Sequence, residues 1–262
     1  RYYKREEAQT TEDIQHPAVR ACLKFMEINH GVDIVHHADV PARSGLGSSS
    51  TFTVGLLHAL YALKYEMPSK RQLATNAIHI EQELIGEHVG SQDQTGAAFG
   101  GLNRIDFGGI HEILVKPLIL PPEKMALLQE HIMLFFTGQS RTASEVAKAQ
   151  IENIPNKGAD LRKMMQLVDE AEAAVLSKQD RLADFGRLLH QQWQIKRGMS
   201  AQITNASIDA IYEAGMKAGA LGGKLLGAGG GGFIMFFASP ERQPAIKAAL
   251  QSLLHVPAHF DF

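Results

Sequence analysis

The chain is poor in cysteine, in tryptophan and in net charge. Only one of its 262 residues is a cysteine, Cys22, so no disulfide can close within it. Thiol usage of this kind fits a reducing compartment, and the expected location is the cytoplasm. Cys22 lies in a helix-like run with Val19, Leu23 and Met26 and reads as a small buried apolar side chain. The formal net charge of -2 offers no bulk attraction for nucleic acid or for an anionic membrane. No apolar run is long enough to span a bilayer, and no signal-peptide pattern opens the chain. The twelve histidines include no His-x-x-x-His pair on a predicted helix and no Cys/His cluster, so no zinc site is expected. What is present, 45% hydrophobic and 21% charged, reads as a globular protein of one large or two small domains. The opening Arg1-Tyr-Tyr-Lys-Arg-Glu-Glu has no helix cap and no initiating Met, so further sequence is expected upstream.

The stretch Pro41-Ala-Arg-Ser-Gly-Leu-Gly-Ser-Ser-Ser50 carries the strongest local signal. Gly45 and Gly47 let the chain turn sharply and bring bare N–H groups near a ligand. A helix is predicted to start at Ser48 to Ser50, and its first amides have no intrahelical partners. Amides and helix dipole together make an anion site, to which the serine hydroxyls add donors and one a candidate magnesium ligand. The plainer reading is a capped helix after a glycine turn. Phe52, Val54, Leu56, Leu57, Leu60 and Leu63 make the helix apolar on most sides, hence central and buried.

Around this stretch the pattern alternates. His16-Pro17 opens a helix with proline in its first turn, with Gly31 as its stop, and residues 32–35 read as a short strand. Ser69-Lys-Arg-Gln72 is a capping box that opens a helix running to about Glu87. Leu73, Ala77, Ile80 and Leu84 share its inward face, with Ile78 and Ile85 beside them. Glu81 falls inside that arc and Glu83 outside it. An inward carboxylate is costly unless a cation or several donors meet it, so Glu81 is either in a buried structural pair or on metal or catalytic duty. Gly90-Ser-Gln-Asp-Gln-Thr-Gly96 comes next, and the bland role of Asp93 is to cap the segment Thr95 to Ala98. Runs on either side of Gly108-Gly109 predict a hairpin. Pro117, Pro121 and Pro122 mark a domain seam.

Residues 131–136 read as an apolar strand. Helical periodicity then holds from Thr142 to about Gly219, with breaks near Pro155 and Gln179. Trp193, Ile195, Met199 and Ile203 are core positions. Lys196 and Arg197 could reach an anion, though a solvated face is the default. In Lys224-Leu-Leu-Gly-Ala-Gly-Gly-Gly-Gly232, Gly227-x-Gly229-x-x-Gly232 spells a dinucleotide fingerprint. The apolar strand 233–237 comes directly where that fingerprint needs a helix. Glycines between two strands instead imply a close approach of backbone.

Three phosphate-loop templates compete for residues 41–50. A Walker loop fails because Ser48, not lysine, comes after Gly47. The dinucleotide pattern half fits, with Gly45-x-Gly47-x-x-Ser50 and Glu66 further on, but residues 39–43 interrupt it. The pattern Pro-x-x-x-Gly-Leu-Gly-Ser-Ser-Ser/Ala matches without a gap. It resembles the GHMP superfamily of galactokinase, homoserine kinase, mevalonate kinase and phosphomevalonate kinase. Gly90-Ser-Gln-Asp-Gln94 and Lys224 through Gly232 resemble two further motifs of that family, in the same order. The family's first motif is absent here, and the N-terminal part is expected to be missing.

The resemblance implies an α+β, two-domain GHMP-kinase fold. Residues 1–122 would form an incomplete, ribosomal-protein-S5-like ATP-binding domain, and residues 123–262 a ferredoxin-like one. ATP and Mg2+ would be the cofactors. Pro41, Arg43, Ser44, Gly45, Leu46, Gly47, Ser48, Ser49 and Ser50 would hold ATP phosphates. Ser49 and Glu81 would hold the magnesium ion, and Asp93 would be catalytic. Gly90, Gln92, Arg141, Lys196, Arg197, Lys224, Gly227, Gly229 and Gly230 are candidates for substrate or loop contacts. Within the family, Gly90 to Gln94 with Gly100-Gly101-Leu-Asn103, Thr137-Gly-Gln-Ser-Arg141 and Trp193-x-x-Lys196-Arg197 resemble one sugar-kinase branch. That branch phosphorylates the anomeric hydroxyl of D-glycero-D-manno-heptose 7-phosphate for surface polysaccharide. A fucokinase-like enzyme is the nearest alternative. A non-catalytic sugar-binding regulator and an NAD-dependent oxidoreductase stay open. The expected partner is a small sugar or sugar phosphate, with no nucleic acid or membrane. Oligomeric state is left open, a homodimer among the options.

Overall fold

His16 Nδ1 accepts a hydrogen bond from the Val19 N–H at 3.4 Å, and with Pro17 in the first turn it starts α1, Pro17–Phe25. The helix ends at Phe25 rather than at Gly31, because Glu27 takes a φ of 52° and turns the chain. The computed structural model describes residues 5–38, 44–108, 112–139 and 143–260, without the side chains of 143–145. It divides into two compact units, Arg1–Ala42 with Gly47–Gly100, and Arg43–Leu46 with Gly101–Phe262. No helix among the described residues is long and apolar enough to cross a membrane.

The first unit is helical among the described residues. After α1 come α2 (Ser48–Leu63), α3 (Lys70–His79) and α4 (Gln92–Phe99). The Ser69 hydroxyl accepts from the Gln72 N–H at 3.1 Å, so the predicted cap starts α3. The helix then widens. Ile80–Leu84 is a π turn, closed by the Ile85 N–H on the Ile80 carbonyl at 2.9 Å. The extra residue in that turn rotates the side chains beyond it. Ile80 is fully buried as its spacing predicts, whereas Leu84, placed inward by a straight α projection, is 49% exposed. Cys22, Leu57, Ala77 and Ile80 form the centre of this core, with Val54, Leu60, Tyr61 and Leu73 around them. Residues 32–35, expected as a strand, pair with no strand among the described residues, and Val35 is largely exposed.

The second unit begins its regular structure with a hairpin, β1 (Asn103–Gly108) and β2 (Glu112–Pro117), antiparallel with Gly108 opposite Glu112. The later elements are α5 (Pro122–Glu130), β3 (Ile132–Phe136), α6 (Ala143–Asn153), α7 (Gly158–Leu176), α8 (Leu182–Arg197), α9 (Ala206–Lys217), β4 (Gly222–Leu225), β5 (Phe233–Phe237), α10 (Gln243–Ala249) and β6 (Leu254–Val256). The last four strands form an antiparallel sheet in the order β4-β5-β3-β6. This is the ferredoxin-like arrangement, with α6 to α9 between its first and second strands among the described residues. Phe135, Phe236, Trp193, Ile208 and Tyr212 are buried in the largest core cluster. Full burial of each such side chain contributes roughly 1.5–3 kcal/mol. The hairpin belongs to this unit: Arg104 and Lys116 both bind Glu172 of α7, at 2.7 and 2.6 Å. Proline placement puts the seam at residue 122; the compact units divide after Gly100.

Candidate active site

In the first unit, Gly47 is the N-cap of α2, with φ 70°, and its carbonyl accepts the Thr51 N–H at 2.9 Å. Gly47 has no side chain with which to cap the helix. The first amides of α2 have no intrahelical acceptors and suit anionic oxygens.

The carboxylate of Glu81, the second residue of the π turn, lies beneath this start. Glu81 is 1% exposed. Its Oε2 accepts from the Ser50 hydroxyl at 2.8 Å and from Gln94 Nε2 at 2.5 Å. Its Oε1 is equally buried and has no hydrogen-bond partner. An acceptor-only oxygen left bare inside a protein is expensive unless a cation meets it. No three His, Cys, Asp or Glu side chains cluster among the described residues. A single carboxylate oxygen suits magnesium, which takes its remaining ligands from water and phosphate. The residues present therefore fit that ion.

Asp93 stands in the first turn of α4. Ser91 occupies the N-cap position there, and its side chain makes no cap bond. Its carboxylate lies against Gly47: a β-carbon added to that glycine would stand 3.2 Å from Asp93 Cγ and 3.4 Å from Oδ2. Thus one helix start has an exposed carboxylate beside its capping residue and a buried carboxylate under its third residue, Ser50.

In the second unit, Ser44 and Gly45 pack on the glycine stretch. The Ser44 carbonyl accepts the Phe233 N–H at 2.9 Å, and its hydroxyl is buried without a partner. Gly45 has φ 81°, and a β-carbon there would meet the Leu226 carbonyl oxygen at 2.7 Å. A β-carbon on Gly227 would meet Gly45 Cα at 2.8 Å, so the two backbones touch because neither has a side chain. Residues 137–139 join the same cluster. Thr137 Oγ1 donates to the Gly232 carbonyl at 2.8 Å, the Gly232 N–H donates to the Gln139 carbonyl at 2.8 Å, and Asn205 Nδ2 donates to Gln139 Oε1 at 3.0 Å. β5 begins directly after the glycines, which removes the helix that a dinucleotide fingerprint requires.

Two family profiles match the chain: GHMP kinases N terminal domain over residues 16–101 and GHMP kinases C terminal over residues 171–256. The chain belongs to the GHMP kinase family. It is 33% identical to a D-glycero-alpha-D-manno-heptose 7-phosphate kinase from Campylobacter jejuni, over 82% of this chain and 63% of that protein. It is 27% identical to a bifunctional fucokinase/GDP-fucose pyrophosphorylase from Arabidopsis thaliana, over 88% of this chain and 22% of that one. The solved structure of a D-glycero-D-manno-heptose 1-phosphate kinase from Bacteroides thetaiotaomicron superposes with a TM-score of 0.66 at 25% identity, covering 93% of this chain and 70% of that one. The chain thus spans less than two thirds of the length of the first two relatives.

The remaining site residues of this GHMP kinase chain separate by environment. Pro41, Arg43 and Arg141 lie outside the described residues. Leu46, Ser49, Gly90 and Gln92 are exposed, and Ser48 is half-buried. The resemblance gives the cation to Ser49; the hydroxyl bonded to Glu81 is that of Ser50. Lys196 Nζ donates to the Gly227 carbonyl at 2.6 Å, and so braces the glycine stretch. Arg197 pairs with Asp209 at 3.2 Å. Lys224 sits in β4, where desolvation holds its ammonium below the ordinary lysine range. Gly229 and Gly230 have φ of 122° and 78°. Residues that spacing did not single out are Ser50 as the donor to Glu81, Gln94 and Gln139. The only local signal for Gln94 was its place beside Asp93.

Proposed function

We propose that this chain carries the phosphate loop and acceptor site of an ATP-dependent sugar kinase. Its acceptor is the anomeric hydroxyl of D-glycero-alpha-D-manno-heptose 7-phosphate, giving the 1,7-bisphosphate. The observation that carries this reading is the placing of Asp93 against Gly47 while Glu81 keeps a bare buried oxygen under the same helix start. The amides from Gly45 to Ser49 bind phosphate oxygens. Glu81 and Ser49 would hold the magnesium ion, which when bound would neutralise charge on the phosphates. Asp93 accepts or orients the proton of the attacking hydroxyl, and an anomeric hydroxyl is more acidic than an ordinary alcohol, which eases that task.

Support for the heptose substrate comes from the likeness to heptose phosphate kinases, one by sequence and one by structure. The likeness to a fucokinase supports free L-fucose as the second acceptor to try. The test is ATP consumption by the full-length protein against heptose 7-phosphate, L-fucose, mevalonate and no acceptor. Turnover with heptose 7-phosphate well above the others is expected. Consumption with none of them would overturn the kinase reading in favour of a silent sugar-binding protein. Tight NAD binding without ATP binding would favour an oxidoreductase instead.

A further inference from the structure

Gln94 is fully buried, and its amide is satisfied at one end only. Nε2 donates to Glu81 Oε2 at 2.5 Å, while Oε1 is buried with no partner. The chemistry fixes which end faces the carboxylate, because an ionised carboxylate only accepts and the amide nitrogen only donates. A glutamine kept for packing would be replaced at less cost by an apolar side chain, since its bare carbonyl is a burden in the core. Ser50 donates to the same carboxylate oxygen at 2.8 Å. Two donors from two helices, α2 and α4, therefore saturate Oε2 and leave Oε1 as the one open atom of the carboxylate.

We propose that Gln94 is a positioning residue for Glu81: its amide and the Ser50 hydroxyl grip Oε2, fixing the side chain so that Oε1 is presented to the cation. This rests on the magnesium-nucleotide reading above. The carboxylate needs such a grip because it projects from a π turn, where the i to i+4 ladder that would stiffen an ordinary helix is interrupted. Gln94 is also the residue directly after Asp93. The same turn of α4 that sets one carboxylate against Gly47 thus steadies the other, and the separation of the two acidic groups is fixed by one short helix.

The test is calorimetric titration of a non-hydrolysable ATP analogue into the full-length protein at rising magnesium concentration. The variants are Gln94→Met, which removes the donor at similar length, and Gln94→Asn, which keeps the amide but draws it back. Both are expected to raise the half-saturating magnesium concentration about 10-fold or more, as loss of a ligand-orienting group does. Affinity for the analogue without magnesium should stay unchanged. If both variants show the wild-type magnesium dependence and only a lower Tm, the role is structural and the proposal is overturned. If Gln94→Met does not fold, Gln94→Asn decides in the same titration. A wild-type protein with no magnesium-dependent binding would overturn the kinase reading, and this inference with it.

Discussion

Asp93 Cγ lies 3.2 Å from the point where a β-carbon on Gly47 would sit. The glycine that caps α2 therefore does two things: it takes a φ of 70°, and it leaves room for a carboxylate at the helix start. An acid beside the positive end of a helix is electrostatically favoured.

Asp93→Ala should lower turnover by about 10²–10⁴-fold, the range expected of a lost general base. Affinity for the ATP analogue should hardly change, because the amides of α2 remain. Steady-state kinetics beside calorimetry separates the two, and near-wild-type turnover would remove Asp93 from the chemistry.

For Glu81→Gln, the donors Ser50 and Gln94 can still bond the amide oxygen, which leaves the amide nitrogen where Oε1 was. An N–H2 group repels a cation, so the magnesium requirement should rise by more than the roughly tenfold expected at Gln94. An unchanged magnesium titration would count against ligation by this residue.

Gly45→Ala should destabilise the protein and disturb the loop together. The left-handed backbone alone costs about 1–2 kcal/mol, and the new methyl would press on the Leu226 carbonyl at 2.7 Å. Gly90→Ala serves as the control, because its β-carbon meets nothing within 4 Å. Thermal unfolding of the two variants measures the difference; equal Tm values would contradict the proposed packing.

The anchoring of the hairpin should be sensitive to acid. Hydrogen bonds from Lys116 and from Arg104 hold the Glu172 carboxyl below its ordinary range. A depressed carboxyl contributes stability above its unfolded pKa of about 4.3 and loses it as pH falls through the lower folded value. Amide exchange in β1 and β2 should therefore gain protection from this contact at neutral pH and lose it in acid. Glu172→Gln should flatten that dependence; an identical profile in the variant would mean the ion pairs do not hold the hairpin.

Cys22 should be inert in the folded chain. It is fully buried, and burial, with the charge of Glu81 second, pushes its thiol to about 12. Only the thiolate is a good nucleophile. Iodoacetamide at neutral pH should leave Cys22 unmodified until denaturant is added, and rapid native labelling would show that this core opens.

Local pattern made much of this protein legible. Ser69 and Gln72 announced the start of α3, Gly108 the hairpin, and the apolar run after Gly232 a strand where a dinucleotide site needs a helix. Helical spacing alone turned Glu81 inward. Spacing failed where one residue had to be inserted: the π turn displaced Leu84, and no hydrophobic period announces such a turn. Residues 32–35 have strand composition, but a strand exists only through its partner.

Sequence by itself determined which residues carry charge into the core and where the backbone needs glycine, since both arise from local periodicity and local stereochemistry. The family motifs were legible for the same reason, being short and contiguous. Only the folded chain decided that Ser50 and Gln94 share Glu81 Oε2, that Asp93 rests on Gly47, and that Ser44 and Gly45 lie on the second glycine stretch. Those contacts join residues far apart in the chain. They depend on how helices and glycine turns pack, which no single stretch of sequence specifies.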